Sequence, residues 1–167
     1  MLVKKLSIIM LAITLLAVNG CSQAEQPENM DKEQTDNTKI ILYENTQVGL
    51  RVYETKNWVT NQEPTAEPFS VTFSNEHSKA ILSVISNEKS FEEIKRELKV
   101  GAGKVIVLEE IGDYLAFQSE RLESIRTDIY IEQIGARIGI ITFMTPLKDY
   151  ELSQDSIEAF KKNIELF

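Results

Sequence analysis

RTDIYIEQIGARIGIITFMT, Arg126 to Thr145, is the stretch on which the fold turns. In its first half Ile129 and Ile131 alternate with Asp128, Tyr130 and Glu132, the period-two pattern of a half-buried strand. Gly135 turns the chain. The second half, Arg137–Thr145, carries Ile138, Ile140, Ile141, Phe143 and Met144, so it is apolar on both faces. A strand of that kind belongs in the middle of a sheet that is covered on both sides. Pro146 stops it, because proline cannot donate to a strand ladder.

Working outward, the same signals recur. Lys104–Ile111 holds the run Val105-Ile106-Val107-Leu108, Gly112-Asp113 marks a turn, and Tyr114–Glu120 returns. Thr38–Tyr43, Val48–Tyr53, Phe69–Phe73 and Ala80–Ile85 read as further strands, with Asn75–Ser78 as a hairpin-like connection between the last two. Two segments change period. Ser90-Phe91-Glu92-Glu93 is a capping box, in which the hydroxyl and carboxylate satisfy each other's backbone amides. Phe91, Ile94 and Leu98 then form one apolar helix face, ended by Gly101 and Gly103. Near Ser153–Asn163, Ile157, Phe160 and Ile164 form a second such face. Hairpins in sequence imply a largely antiparallel β-sheet covered by two or more helices, an α+β class, in one domain over residues 38–167.

The N-terminus follows a different logic. Lys4 and Lys5 precede Leu6–Val18, 13 uncharged residues. A membrane-spanning helix needs about 20, so the run is a secretory signal rather than a span. Val18-Asn19-Gly20-Cys21 closes it and resembles the lipobox of bacterial lipoproteins. The resemblance implies cleavage between Gly20 and Cys21, so that residues 1–20 leave. It also implies a diacylglyceryl group on the Cys21 thiol and an acyl group on the new amino terminus. Cys21 is the sole cysteine, which excludes an intramolecular disulfide. Two acyl chains suffice for stable membrane retention where one does not.

Residues 21–37 join anchor to domain. Ser22–Asn37 holds five acidic residues, one Lys and a Pro, with only Ala24 and Met30 apolar, a composition that predicts a disordered tether. Such a chain has an r.m.s. span of roughly 20–25 Å. The formal charge is −8, and loss of the signal peptide with its two lysines and no acid takes it to −10. That charge, without a basic cluster, argues against nucleic-acid binding.

Val48-Gly49-Leu50-Arg51-Val52-Tyr53 followed by Asn57-Trp58 resembles the opening of PsbP-like domains. The hairpin from Tyr130 to Thr145, then Asp149-Tyr150-Glu151 and the ending Ile164-Glu165-Leu166-Phe167, resemble their close. This superfamily includes lipoproteins of the DcrB type and extrinsic photosystem subunits. The resemblance implies an antiparallel sheet sandwiched by helices and a non-enzymatic accessory role, with no catalytic residues to carry over. Thr55 stands where the family commonly has Pro, and Leu50 where it has an aromatic.

Catalytic chemistry finds little material. His77, the sole histidine, sits in the Asn75–Lys79 loop beside Ser78, but no Gly-x-Ser-x-Gly frames a nucleophile. Gly101-Ala102-Gly103-Lys104 looks like part of a phosphate loop. However, Leu98 replaces the first Gly, Val105 the Ser or Thr, and the order runs helix to strand. One His and a lipidated Cys offer no usual zinc site, and Glu92, Glu93, Glu109, Glu110 and Glu151 suit a solvated surface better than calcium. No cofactor or metal is expected. Trp58 has two readings: a partner anchor, since Trp is enriched at hot spots, or a core plug behind the turn with its N–H bonded to backbone. The expectation is a membrane-anchored extracytoplasmic lipoprotein that acts as a binding or assembly module through a protein partner. The alternative is a small-ligand receptor with its pocket between sheet and helix, and a cell-envelope hydrolase stands third.

Overall fold

The structure, a computed structural model, describes residues 39–61 and 64–167. The signal peptide (1–20), Cys21 and the tether (22–37) lie outside the described residues. In chain order the elements are β1 (Ile41–Asn45), β2 (Leu50–Tyr53), β3 (Val59–Thr60), β4 (Thr65–Ala66), β5 (Phe69–Ser74) and β6 (Lys79–Ser86). There follow α1 (Phe91–Ala102), β7 (Val105–Ile111), β8 (Tyr114–Ser119), β9 (Ile125–Ile134) and β10 (Arg137–Pro146). A 3-10 turn at Leu147–Asp149 leads into α2 (Tyr150–Lys161) and then β11 (Ile164–Leu166).

The large sheet runs β3-β5-β6-β10-β9-β8-β7, with β4 also on β5, and its strand pairs are antiparallel. The β9–β10 hairpin holds unbroken register from Ile134↔Arg137 to Ile125↔Pro146. Gly135 opens its two-residue loop at φ 54°, a left-handed conformation that glycine adopts without steric cost. The doubly apolar β10 lies between β6 and β9, inside the sheet.

Its side chains alternate between two cores, as the period of a strand requires. Ile138 and Ile140 join Leu115, Phe117, Ile129 and Ile131 under Ile94 of α1. Ile141 and Phe143 join Phe73, Leu82 and Val71 under Ile157 and Phe160 of α2. That second core is also closed by a small sheet, order β1-β2-β11, through Leu50 and Val52. So, among the described residues, one face is covered by a helix alone, and the other by a helix and a second sheet. Gly139 of β10 makes room for this layer: a Cβ there would lie 2.6 Å from Leu166 Cδ1 and 2.9 Å from Ile134 Cδ1.

The last element departs from expectation. Ile164 was expected on the second helix face, but α2 ends at Lys161 and Ile164 pairs with Val52 in the small sheet. Helical spacing placed Ile157, Phe160 and Ile164 together; both arrangements bring them to the same core. The helix also starts at Tyr150, three residues before the expected Ser153.

In α1 the capping box forms as the sequence indicates. The Glu93 N–H donates to Ser90 Oγ (3.3 Å) and the Ser90 N–H to Glu93 Oε2 (2.9 Å). Those Ser90 hydrogen bonds, backbone first and hydroxyl second, hold the Glu93 carboxyl below the usual carboxylate range. A folded-state pKa below the unfolded one stabilises above the unfolded value, about 4.3 for Glu, and the gain is lost as pH falls through the folded value. Glu93→Ala is therefore expected to melt below the wild type at pH 7. The two melting temperatures should converge as the pH drops below about 4. A gap that persists unchanged to pH 2.5 would show that the carboxylate charge is irrelevant to the cap.

Farther along α1, Lys95 is 1% exposed. Its Nζ donates to Gly112 O (3.0 Å) and pairs with Glu92 Oε1 (2.6 Å), which ties the helix to the β7–β8 turn. A buried ammonium is tolerated only with partners of this kind.

Candidate functional site

Trp58 is 3% exposed and stacks on Phe160 with ring centroids 4.1 Å apart. Its Nε1–H donates to Ser156 Oγ (3.0 Å) on α2, a side-chain hydroxyl rather than the backbone partner expected. In this position the indole plugs the core and offers no surface to a partner. His77 is exposed; its backbone N–H and that of Ser78 donate to Asn75 Oδ1 (2.9 and 2.7 Å), which fixes the β5–β6 turn. Ser78 Oγ pairs with Thr145 Oγ1 at 2.8 Å, so His77 and Ser78 do not form a catalytic pair. Gly101 and Ala102 belong to α1, and Gly103 is its C-cap at φ 80°. Of the carboxylates, Glu92 pairs with Lys95, Glu93 caps α1, and Glu110 pairs with Lys99 at 2.7 Å. Among the described residues no three His, Cys, Asp or Glu side chains are grouped to hold a metal.

Two other features present themselves. The first is the outer edge of the large sheet. β7 pairs with β8 on one side, and among the described residues no strand pairs with its other side. Ile106, Val107, Leu108 and Ile111 are 44–66% exposed there. A register shift between Val107 and Glu109 interrupts the ladder, as bulges commonly do at sheet edges. The opposite edge is built from β3 and β4, two residues each, too short to template a partner strand.

The second feature is a groove of about 380 Å³ between the C-terminal half of α1 and the sheet. Leu98 and Ala102 of the helix, with Phe117, Ile129 and Met144 of the strands, form its apolar walls. Thr127, Thr142 and Ser119 add hydroxyls, and Arg121, from the β8–β9 loop, also lines it. Glu97 also lines the groove, but Lys89 holds both of its oxygens (2.8 and 2.7 Å).

On the opposite face a polar cluster is fully engaged. Asp128, 3% exposed, accepts from Tyr114 Oη (2.6 Å) and from Arg126 Nε and Nη2 (3.1 and 2.9 Å). Arg126 also lies 4.0 Å over the Tyr150 ring. Burial, and then the bond to Asp128, push the Tyr114 phenol well above its ordinary pKa. This network holds β8, β9 and the start of α2 together, and its charges are mutually satisfied.

No family model and no curated protein matches the sequence. Solved structures do match. The Ran-binding protein Mog1p of Saccharomyces cerevisiae superposes with a TM-score of 0.51 at 7% identity, over 77% of this chain and 96% of Mog1p. This chain shares the Mog1p fold. At that identity the likeness concerns the fold alone, and binding to Ran is said of Mog1p. The PsbP protein of Synechocystis sp. PCC 6803 superposes at TM-score 0.48 and 9% identity, over 75% of this chain and 91% of its own. A Bacteroides thetaiotaomicron protein does so at 0.43 and 15%, over 71% of this chain and 45% of its own length. The chain thus spans under half of that last protein.

The sequence offers a pocket between sheet and helix as an alternative but marks none of its residues, and it does not show the edge. The run Val105–Leu108 could be read as a strand, but only the strand order shows that it lies outermost. The groove lines up residues from four strands, a loop and a helix, and no local pattern joins them.

Proposed function

We propose that this chain is a non-catalytic accessory module. In this reading a diacylglyceryl group on Cys21 anchors it to the cell membrane, with the domain on the extracytoplasmic side. There its β7 edge takes an extended segment of a protein partner. The lipobox supports the anchor. No described helix is long and apolar enough to cross a membrane. The observation that carries the docking role is the exposed apolar edge of β7: free backbone donors and acceptors supply affinity for an added strand, and pockets for alternate side chains supply selectivity.

A photo-cross-linking amino acid placed at Leu108, in affinity-tagged full-length protein in cells, tests this. One dominant partner is expected from Leu108 and none from the same probe at Val59 on the opposite edge. Leu108→Lys should cut capture about tenfold with its melting temperature unchanged, and Cys21→Ala should abolish capture and leave the membrane fraction. Equal capture from both edges, or none from Leu108 in membrane-bound protein, would overturn the docking role. A second reading, a small-ligand receptor, is favoured by the groove beneath α1.

A further inference from the structure

We infer that the groove beneath α1 binds one long-chain carboxylate, a free fatty acid, with its chain between helix and sheet and its head at Arg121. The inference rests on the receptor reading and names the ligand class of that same site.

The walls come first. Leu98, Ala102, Phe117, Ile129 and Met144 present aliphatic carbon, an aromatic face and a flexible thioether. Methionine suits a ligand of variable shape, because three rotatable bonds let it repack. A volume of about 380 Å³ lies near the lower end of the roughly 300–1,000 Å³ of small-molecule sites, room for one chain and not for two.

Charge selects the head. Among the described residues, two charged side chains line the groove. Glu97 is neutralised by Lys89 through both of its oxygens. Arg121 makes no ion pair and no side-chain hydrogen bond among the described residues, although the chain as a whole carries −8. An unpaired guanidinium on the lining of an apolar groove is complementary to an apolar body with an anionic tip. The guanidinium fork matches a carboxylate in a bidentate contact.

A third observation, independent of the groove walls, concerns access. Arg121 is followed by Leu122, which is fully exposed. Leu122 shares a neighbouring hollow with Leu147 and Lys148, and the Leu147 N–H donates to Ser124 O (2.8 Å). Glu123 and Asp149 line the same hollow, so what it offers a membrane is two exposed leucines and no net positive charge. Exposed leucines suit the headgroup boundary of a bilayer, where amphiphiles are found.

The test uses full-length, membrane-bound protein and three diazirine probes of equal chain length, bearing a carboxylate, a hydroxyl or a trimethylammonium head. Labelled peptides are mapped by mass spectrometry. The carboxylate probe is expected to label peptides containing Leu98–Ala102, Phe117 or Met144, about tenfold more than the other two. Arg121→Glu should lower that labelling about tenfold with an unchanged melting temperature. Thr142→Phe, which fills the groove from β10, should lower labelling by all three. Equal groove labelling by the three heads, insensitive to Arg121→Glu, would sink the carboxylate assignment and leave the receptor reading standing. No labelling of groove peptides by any probe would overturn both. Labelling by a lysophospholipid probe in place of the fatty acid would also reject the free acid as the ligand.

Discussion

Trp58→Ala is expected to remove about 4 kcal/mol of unfolding free energy, the middle of the range for truncating a buried aromatic. The indole fills the junction of β3, α2 and the large sheet. It stacks on Phe160 at 4.1 Å and meets Phe143 edge-on at 6.2 Å. Phe160 in turn packs against Phe73 at 5.4 Å, so the cavity would open at the centre of an aromatic cluster that cannot collapse without moving α2. Ser156 Oγ accepts from Trp58 Nε1 and from Asn75 Nδ2, both at 3.0 Å. Trp58→Phe keeps the ring and gives up one of those bonds, so a loss of about 1–2 kcal/mol is expected. Urea unfolding of the three proteins decides the matter. A loss below about 1 kcal/mol for Trp58→Ala would mean that the indole is not a structural plug, and would return it to the candidates for a partner anchor.

Gly49→Ala should cost about 3 kcal/mol, through two effects that a control can separate. Gly49 has φ 67°, where a Cβ costs about 1 kcal/mol by itself. A Cβ at that position would also lie 1.8 Å from Phe167 O and 3.0 Å from Phe167 C, so the Phe167 backbone would have to move. The Phe167 N–H donates to Gly49 O (2.8 Å), so relieving the clash breaks the contact that carries the small sheet one step past Leu166. Overpacking of this sort typically adds about 1–3 kcal/mol. Gly112→Ala is the control, since Gly112 has φ 52° and nothing within 4 Å of its Cβ position. It should lose only the conformational part, about 1 kcal/mol. Equal losses at the two positions in urea unfolding would rule out the clash.

These two positions also show what the sequence could and could not disclose. The tryptophan was ambiguous because an indole suits a core and a hot spot equally well; burial separates them, and burial comes from α2, nearly a hundred residues away. Gly49 could be read as part of a strand opening, but its partner is a backbone carbonyl at Phe167. Local signals served well where the determining contacts are local. The β9–β10 hairpin needed only alternation and Gly135, and the Ser90–Glu93 box lies within four residues. β3, β4 and β11 escaped because two or three residues cannot display a period. β11 escaped further because Ile164 also completes a helical spacing with Ile157 and Phe160. Lys95 reads as a surface residue by type, and only the Gly112 carbonyl beside it explains its burial. The candidate site was the least legible part. Arg121 is one cation among 18 Lys and Arg, and what distinguishes it is its place on the groove, which only the fold shows.

The pairing of β2 with β11 bears on timing. Arg51 and Glu165, side by side in the small sheet, are 114 positions apart in the chain. The hairpins of the large sheet close loops of a few residues, whereas this pairing closes nearly the whole domain. Contacts of high sequence separation are the slow step of folding, because loop-closure entropy is lost before they return any energy. If the chain leaves the cytoplasm N-terminus first, β1 and β2 emerge early and wait without their third strand until β11 arrives. During that wait the apolar side chains of Leu50 and Val52 have no core to enter. The interval before closure is then the period in which this domain is most exposed to misassociation.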